Sequence, residues 1–332
     1  CSSDLEKLYY EIMDIYALNG NYNMAIKLYY DLEKILADEL GVEPSSEVTE
    51  LFHRIFNVKG NTNSDGVIWN LPFWGRNEEI YQISECIVGG AKDGCPRCVA
   101  IGGEDGVGKS ALLDKAMQMV KGYQMIGLYA ACYREESEFF LRPWSDIFWE
   151  VEQRADCQVL RESMSEEKWE QLEHFFKGKV MEENGKSGAL NYQVMEQAVI
   201  DMFRKILEHN KVVLFFDDIQ WMDQTSLQLL NRLLLTFGTH KILLMCTFNQ
   251  EKDADVMESL NNIVKKGWLH VINLFPFNEK ETNEILCKFL PELSEDQKKR
   301  QNVYRMTEGN AFFLMESINL MKEKGYTLEK SQ

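Results

Sequence analysis

The sequence predicts an α/β fold, a parallel sheet organised around a phosphate-binding loop, with a helical segment before it and more helices after it. Three observations predict this. Val99-Ala100-Ile101 is an apolar run of strand type that leads into Gly103-x-x-x-x-Gly108-Lys109-Ser110, and helix-forming residues follow at once, the strand–loop–helix context that the motif requires. Lys211-Val212-Val213-Leu214-Phe215-Phe216-Asp217-Asp218 is a second continuous apolar run and ends in two carboxylates, as expected of a strand covered on both faces. Residues 1–57 instead repeat apolar side chains at helical spacing.

The loop's residue types follow from what a triphosphate needs. Glycines at 103, 106 and 108 remove side chains that would block a close backbone approach. The backbone of Val107 to Ala111 then lies at the start of the next helix, whose unpaired amides and dipole favour an anion. Lys109 can reach the terminal phosphates, and the Ser110 hydroxyl is a natural Mg²⁺ ligand. This is a P-loop nucleotide-binding signature, with ATP or ADP and Mg²⁺ as the expected cofactors. Glu104 and Asp105 are unusual beside an anion and are expected to point into solvent. In the second strand, Asp217 is expected to hold the Mg²⁺ shell through water, and Asp218 to orient or deprotonate the attacking water.

The chain has 332 residues, 27% of them charged and 45% hydrophobic, which suits about two soluble domains. A net charge of -17 argues against a broad footprint on a nucleic-acid backbone. No run of 18 apolar residues and no basic-then-apolar leader occurs, so neither a membrane span nor a secretion signal is expected, and the expected compartment is the cytoplasm. The eight cysteines are scattered and read as free thiols. Cys95-Pro96-Arg97-Cys98 has the spacing of half a zinc site or of a redox pair, but no second pair or histidine cluster accompanies it.

In chain order, Leu5 to Tyr16 and Tyr22 to Leu36 read as an antiparallel helix pair interrupted at Gly20. Its Gly20-x-Tyr22-x-x-Ala25-x-x-x-Tyr29 resembles the middle of a tetratricopeptide unit. One such unit cannot close its own core, and the chain is expected to be a piece of something longer. Gly41 stops a helix, Pro44 prevents its resumption, and Ser45 or Ser46 caps the next, which carries Leu51, Phe52 and Ile55. Residues 58–70 are rich in Gly, Asn and Ser and read as a linker. Met125 to Ala131 reads as a buried strand, and helices dominate from there to Asn210. Phe139, Phe140, Trp144, Ile147, Phe148 and Trp149 form an aromatic patch read as packing, since no basic residues interleave with it. Glu182 to Gly188 reads as a loop, and Asp223 as a helix N-cap. Ile242 to Asn249 is a further strand, at whose end Asn249 could sense a terminal phosphate.

Several stretches resemble known families. Glu39-Leu40-Gly41-Val42-Glu43-Pro44-Ser45 is similar to the end of the bacterial transcriptional activator domain. Phe73-Trp74-Gly75-Arg76-Asn77-Glu78-Glu79 resembles the opening motif of the signal-transducing ATPases with numerous domains (STAND), a branch of the AAA+ class. That resemblance makes Arg76 a candidate nucleotide contact. Ile219-Gln220-Trp221-Met222-Asp223 is similar to the stretch that follows the acidic pair in the same family. Gly309-Asn310-Ala311 resembles its Gly-Asn-Pro lid motif, which lies over the adenine side of the site. Ala311 replaces the proline, and Asn249 stands where relatives often carry arginine. Asn249 can hydrogen-bond but cannot neutralise developing charge, which argues against fast hydrolysis.

The resemblance implies a domain order of activator-type, TPR-like helices at 1–57, a linker at 58–70, a P-loop ATPase core of AAA+/STAND type at 71–273 and a helical lid at 274–332. It further implies a bacterial transcription regulator switched by its ATP or ADP state, with slow hydrolysis. Expected partners are the nucleotide, a second copy or other domains of the same regulator, and DNA only through a winged-helix domain outside this chain. Two alternatives stand beside it: an ATPase whose turnover is the output, such as a loader or a kinase-like enzyme, and an interaction scaffold with a degenerate nucleotide site.

Overall fold

The computed structural model describes residues 73–89, 96–123, 125–137, 139–177, 192–237, 241–249, 258 and 260–324, with further residues scattered between 6 and 51. The chain divides into two compact units, Cys1–Pro72 and Phe73–Gln332. The expected linker at 58–70, the loop at 182–188, Gly20 and Gly41 lie outside the described residues.

In the first unit, residues 9–14 are helical, and Met13, Ala25, Tyr29, Leu32, Leu36, Val48 and Leu51 bury against one another. These are apolar positions of the helical segments, and against the expectation above they form a small buried cluster of their own. The Ser45 carbonyl accepts the Thr49 amide at 3.0 Å, the first turn of the helix expected after Pro44. The Ser45 amide donates to the Glu6 carboxylate at 2.7 Å.

The second unit is a five-stranded, wholly parallel sheet. Its elements in order are α1 (Asn77–Gly89), β1 (Cys98–Gly103), α2 (Lys109–Gly122), β2 (Ile126–Ala131), α3 (Arg142–Glu152), α4 (Cys157–Glu162), α5 (Glu166–Lys177), α6 (Tyr192–His209), β3 (Val212–Asp217), α7 (Gln224–Phe237), β4 (Ile242–Asn249), α8 (Asn261–Lys265), β5 (Leu269–Leu274), α9 (Glu279–Phe289), α10 (Gln297–Thr307) and α11 (Ala311–Lys324). The strand order is β2-β3-β4-β1-β5, with parallel pairing throughout.

Alternate residues of each strand feed two cores, which is why the central strands read as unbroken apolar runs. Val99 and Ile101 of β1, Val213 and Phe215 of β3, and Leu243 and Met245 of β4 pack with residues of α1 and α2. Ala100, Leu214, Phe216, Leu244, Cys246 and Phe248 face the opposite way, onto α3, α6 and α7. Trp144, Ile147 and Phe148 of the aromatic patch are buried there, while Phe139 and Phe140 precede α3 and are exposed. The Trp144 indole N–H donates to the Ser226 carbonyl at 3.2 Å, as a buried indole requires. Along the β2 edge, the Tyr129 amide donates to the Glu150 carboxylate of α3 at 2.7 Å.

The expected strands at Val99, Met125, Lys211 and Ile242 all form, but the sheet order does not follow the sequence. β4 lies between β1 and β3, and Leu269–Leu274 adds a further strand, β5, on the far side of β1. Cys98 is fully buried in β1, where the neighbouring Cys246 and burial push its thiol well above its ordinary value, and Cys95 lies outside the described residues. Among the described residues no helix is long and apolar enough to cross a membrane.

Candidate functional site

The carboxyl ends of β1, β3 and β4 converge at one edge of the sheet, where parallel α/β folds bind ligands. Gly103 is the last residue of β1 and is in register with Asn249, the last residue of β4. Asp217 ends β3, with Asp218 directly after it. The parallel pairing therefore brings the glycine loop, the acidic pair and Asn249 together.

Beyond Gly103 the loop turns through Gly106 (φ +76°) and Gly108 (φ +102°) into α2, whose start has no side-chain cap. Its first amides are left to whatever lies in the loop. Lys109 is buried, and its ammonium donates to the carbonyls of Gly103 at 3.1 Å and Glu104 at 2.9 Å. Val107 is buried with α1 and α2, which anchors the loop to the core. Ser110 and Ala111 are exposed at the start of α2. Glu104 and Asp105 are exposed, as expected, but Asp105 is not merely solvated. Its carboxylate lies 3.8 Å from the Lys109 ammonium and accepts the Asn249 side-chain amide at 2.8 Å.

The acidic pair is organised by a residue that sequence reading passed over. Thr247 is fully buried in β4; its hydroxyl donates to the Asp217 carboxylate and accepts the Asp218 backbone amide at 2.7 Å. Burial pushes the Asp217 carboxyl above its ordinary value; hydrogen bonds from Thr247 and Ser110 oppose this, the Asp218 charge adds to it, and Lys109 again opposes it. Asp218 takes the left-handed conformation (φ +54°), and its carboxylate accepts the Gln220 side-chain amide at 3.0 Å. Gln220 in turn accepts the Asn249 backbone amide at 3.2 Å. Thr247 was visible as the one hydroxyl in an otherwise apolar strand core, and nothing in the sequence paired it with Asp217.

Ser110 and Asp217 offer a hydroxyl and a carboxylate, and Ser110 is one of the groups that oppose the upward push of burial on the Asp217 carboxyl. Two hard oxygen donors suit Mg²⁺ that takes its remaining ligands from phosphate and water. Among the described residues no group of three or more His, Cys, Asp and Glu could hold a metal on its own.

Arg76 is engaged by protein groups. Its guanidinium donates to the carbonyls of Val107 at 3.3 Å and Phe275 at 2.6 Å, lies 3.5 Å from the Glu79 carboxylate and stacks over the Phe277 ring at 4.4 Å. Burial lowers its pKa, against the nearby charges of Glu79 and Glu281. Arg76 thus ties the loop to the segment leading out of β5.

The helices after β5 close on the same loop. The Asn310 side-chain amide donates to the Asp105 carbonyl at 2.8 Å, and the Phe312 amide donates to the Gly106 carbonyl at 2.9 Å. Gly309 (φ +74°) packs against the segment leading out of β5, where a Cβ would sit 1.8 Å from the Phe277 carbonyl oxygen and where its own carbonyl accepts the Phe277 amide at 2.8 Å. Gly309-Asn310-Ala311, likened above to an adenine-side motif, is seated against the tip of the phosphate loop. Asp223 accepts the amides of Thr225 at 3.0 Å and Ser226 at 2.9 Å and caps α7 as expected.

Comparison with known families gives two matches, the AAA ATPase domain over residues 72–245 and the bacterial transcriptional activator domain over residues 4–56. No curated protein matches the chain. Similar solved structures include the replication initiator DnaA bound to AMPPCP and single-stranded DNA, with 15% identity and a TM-score of 0.47 over 77% of this chain and 63% of that one. Cdc6p from Pyrobaculum aerophilum has 13% identity and a TM-score of 0.43 over 80% of this chain and 66% of that one. The Aeropyrum pernix ORC1 protein in complex with DNA has 13% identity and a TM-score of 0.46 over 78% of this chain and 63% of that one. The chain covers less than two thirds of each of them, and at such identities the likeness concerns the fold alone.

Proposed function

The chain belongs to the AAA ATPase domain family, and we propose that it is the ATP/ADP-dependent switch of a bacterial transcription regulator, of the STAND type. Nucleotide phosphates bind on the amides from Gly103 to Ala111, with Lys109 as counter-charge and Arg76 holding the loop from behind. Ser110 and Asp217 hold Mg²⁺, which when bound supplies charge neutralisation at the phosphates. Asp218 orients or deprotonates the attacking water, Thr247 fixes the Asp217 carboxylate and the Asp218 backbone, and hydrolysis is slow. Residues 274–332 form the lid and residues 1–57 the helical output segment. DNA contact belongs to a winged-helix domain outside these residues, in keeping with a net charge of -17.

One observation carries this reading: the lid is hydrogen-bonded to the loop itself, through Asn310 to Asp105 and Phe312 to Gly106. A loop that turns its amides toward phosphates and its carbonyls toward the lid couples the two directly. A ligand shifts such an equilibrium only by its differential affinity for the two lid positions. ATP and ADP are therefore expected to differ in their effect on self-association.

The test is to denature the purified chain, identify any released nucleotide by chromatography, and run size exclusion with ATP, with ADP and with neither. Near-stoichiometric ADP and unequal profiles are expected. No release, together with no stabilisation by Mg·ATP at a hundred times its dissociation constant, where about 2.7 kcal/mol is due, would leave the scaffold alternative. Steady turnover above roughly one per second would favour the enzyme alternative.

A further inference from the structure

We propose that Asp105, latched by Asn249, acts as an internal stand-in for phosphate at Lys109 and thereby lowers the affinity of the loop for nucleotide. The proposal rests on the nucleotide reading of the loop and adds a residue that the reading does not use. Three contacts define the device. The Asn249 Nδ2 donates to the Asp105 carboxylate at 2.8 Å, that carboxylate lies 3.8 Å from the Lys109 Nζ, and Lys109 donates to two carbonyls of its own loop.

The chemistry follows from the ammonium's valence. Lys109 has three N–H donors; two are spent on the Gly103 and Glu104 carbonyls, and Asp105, on the solvent side, adds its opposite charge to that of the buried Asp217. A buried cation needs such a counter-charge, and only 7% of Lys109 is exposed. A terminal phosphate would supply the same charge and would meet a like charge at Asp105. Nucleotide binding therefore requires the Asp105 side chain to swing away.

Asp105 is 89% exposed and could leave cheaply by itself. Asn249 is what holds it in place. The register between Gly103 and Asn249 fixes the end of β4 beside the loop, and the Asn249 backbone amide is pinned by Gln220. Asn249 is thus a positioning residue acting through Asp105, which distinguishes it from a sensor that touches the terminal phosphate itself.

The two roles predict opposite signs. Calorimetric titration of the full chain with Mg·ADP and with Mg²⁺ and a non-hydrolysable ATP analogue is compared for the unaltered protein, Asp105→Asn, Asn249→Ala and the double variant. Asp105→Asn is expected to tighten both nucleotides about two- to fivefold, the size of an exposed charge pair. Asn249→Ala shifts in the same direction by less, and the double variant is no tighter than Asp105→Asn. Selective weakening of the ATP analogue in Asn249→Ala would overturn the latch in favour of a phosphate sensor. Unchanged affinities in all variants would overturn it and leave the nucleotide site standing. Absence of binding in every protein, the unaltered one included, would overturn both.

Discussion

Gly106 and Asn310 approach too closely for a side chain to stand between them: a Cβ on Gly106 would lie 2.7 Å from the Asn310 Oδ1 and 3.0 Å from the Phe312 Cβ. Gly106 also sits at φ +76°, in the left-handed region. Gly106→Ala is therefore expected to cost about 1–2 kcal/mol in backbone strain and to push the lid off the loop. The amide of Phe312, bonded to the Gly106 carbonyl, should lose protection from hydrogen exchange while amides of β3 keep theirs. Equal protection of Phe312 in both proteins would show that the lid does not depend on this contact.

Thr247 offers a second test, in the interior. Val has nearly the same shape but no hydroxyl, so Thr247→Val leaves the buried Asp217 carboxylate short of a donor and the Asp218 amide short of its acceptor. The expected loss is about 1–3 kcal/mol in urea unfolding. The Asp217 carboxyl, already raised by burial, should move higher still. A loss near zero would mean that water replaces the hydroxyl.

The sequence made the parallel sheet legible because its central strands are covered on both faces, and the loop legible because its glycines, Lys109 and Ser110 sit at fixed spacing. What it could not reveal are contacts made by sheet order. Asn249 meets Asp105 only because β4 runs beside β1, 144 positions away in the chain, and Thr247 reaches Asp217 for the same reason on the other side. β5 was hard to read because hydropathy does not follow its burial: Val271 is apolar yet exposed, while Ile272 and Leu274 are buried. Arg76 was found by resemblance, but its grip on Phe275 across 199 positions carries no local signal.

Asp218→Asn isolates chemistry from folding. Asn tolerates the left-handed backbone of Asp218, and the backbone amide that Thr247 accepts is retained, so nucleotide binding should persist. Removing a positioned general base is expected to slow turnover about 10²- to 10⁴-fold. Single-turnover hydrolysis by the preloaded protein measures this directly. An unaltered rate would remove Asp218 from its role and leave the water to other groups.

Asp114 lies one turn beyond Ser110 on α2, and its carboxyl is pushed up to about 6, first by burial and then by the charge of Asp217. The fold therefore favours the protonated form relative to an unfolded chain, where the value is near 3.8. Its contribution to stability is fully present below about pH 4 and is lost as pH rises through about 6. At neutral pH the native state thus carries a carboxylate beside a second, unfavourable one. The Asp114 side chain reaches solvent, which limits the effect to less than about 1 kcal/mol. Asp114→Asn should raise the melting temperature at pH 7 more than at pH 5, flattening the pH profile between 4 and 7. Bound Mg²⁺ should shrink the difference between the two proteins, since a cation at Asp217 offsets the repulsion. Parallel melting profiles with and without the substitution would mean that the two carboxyls do not sense each other.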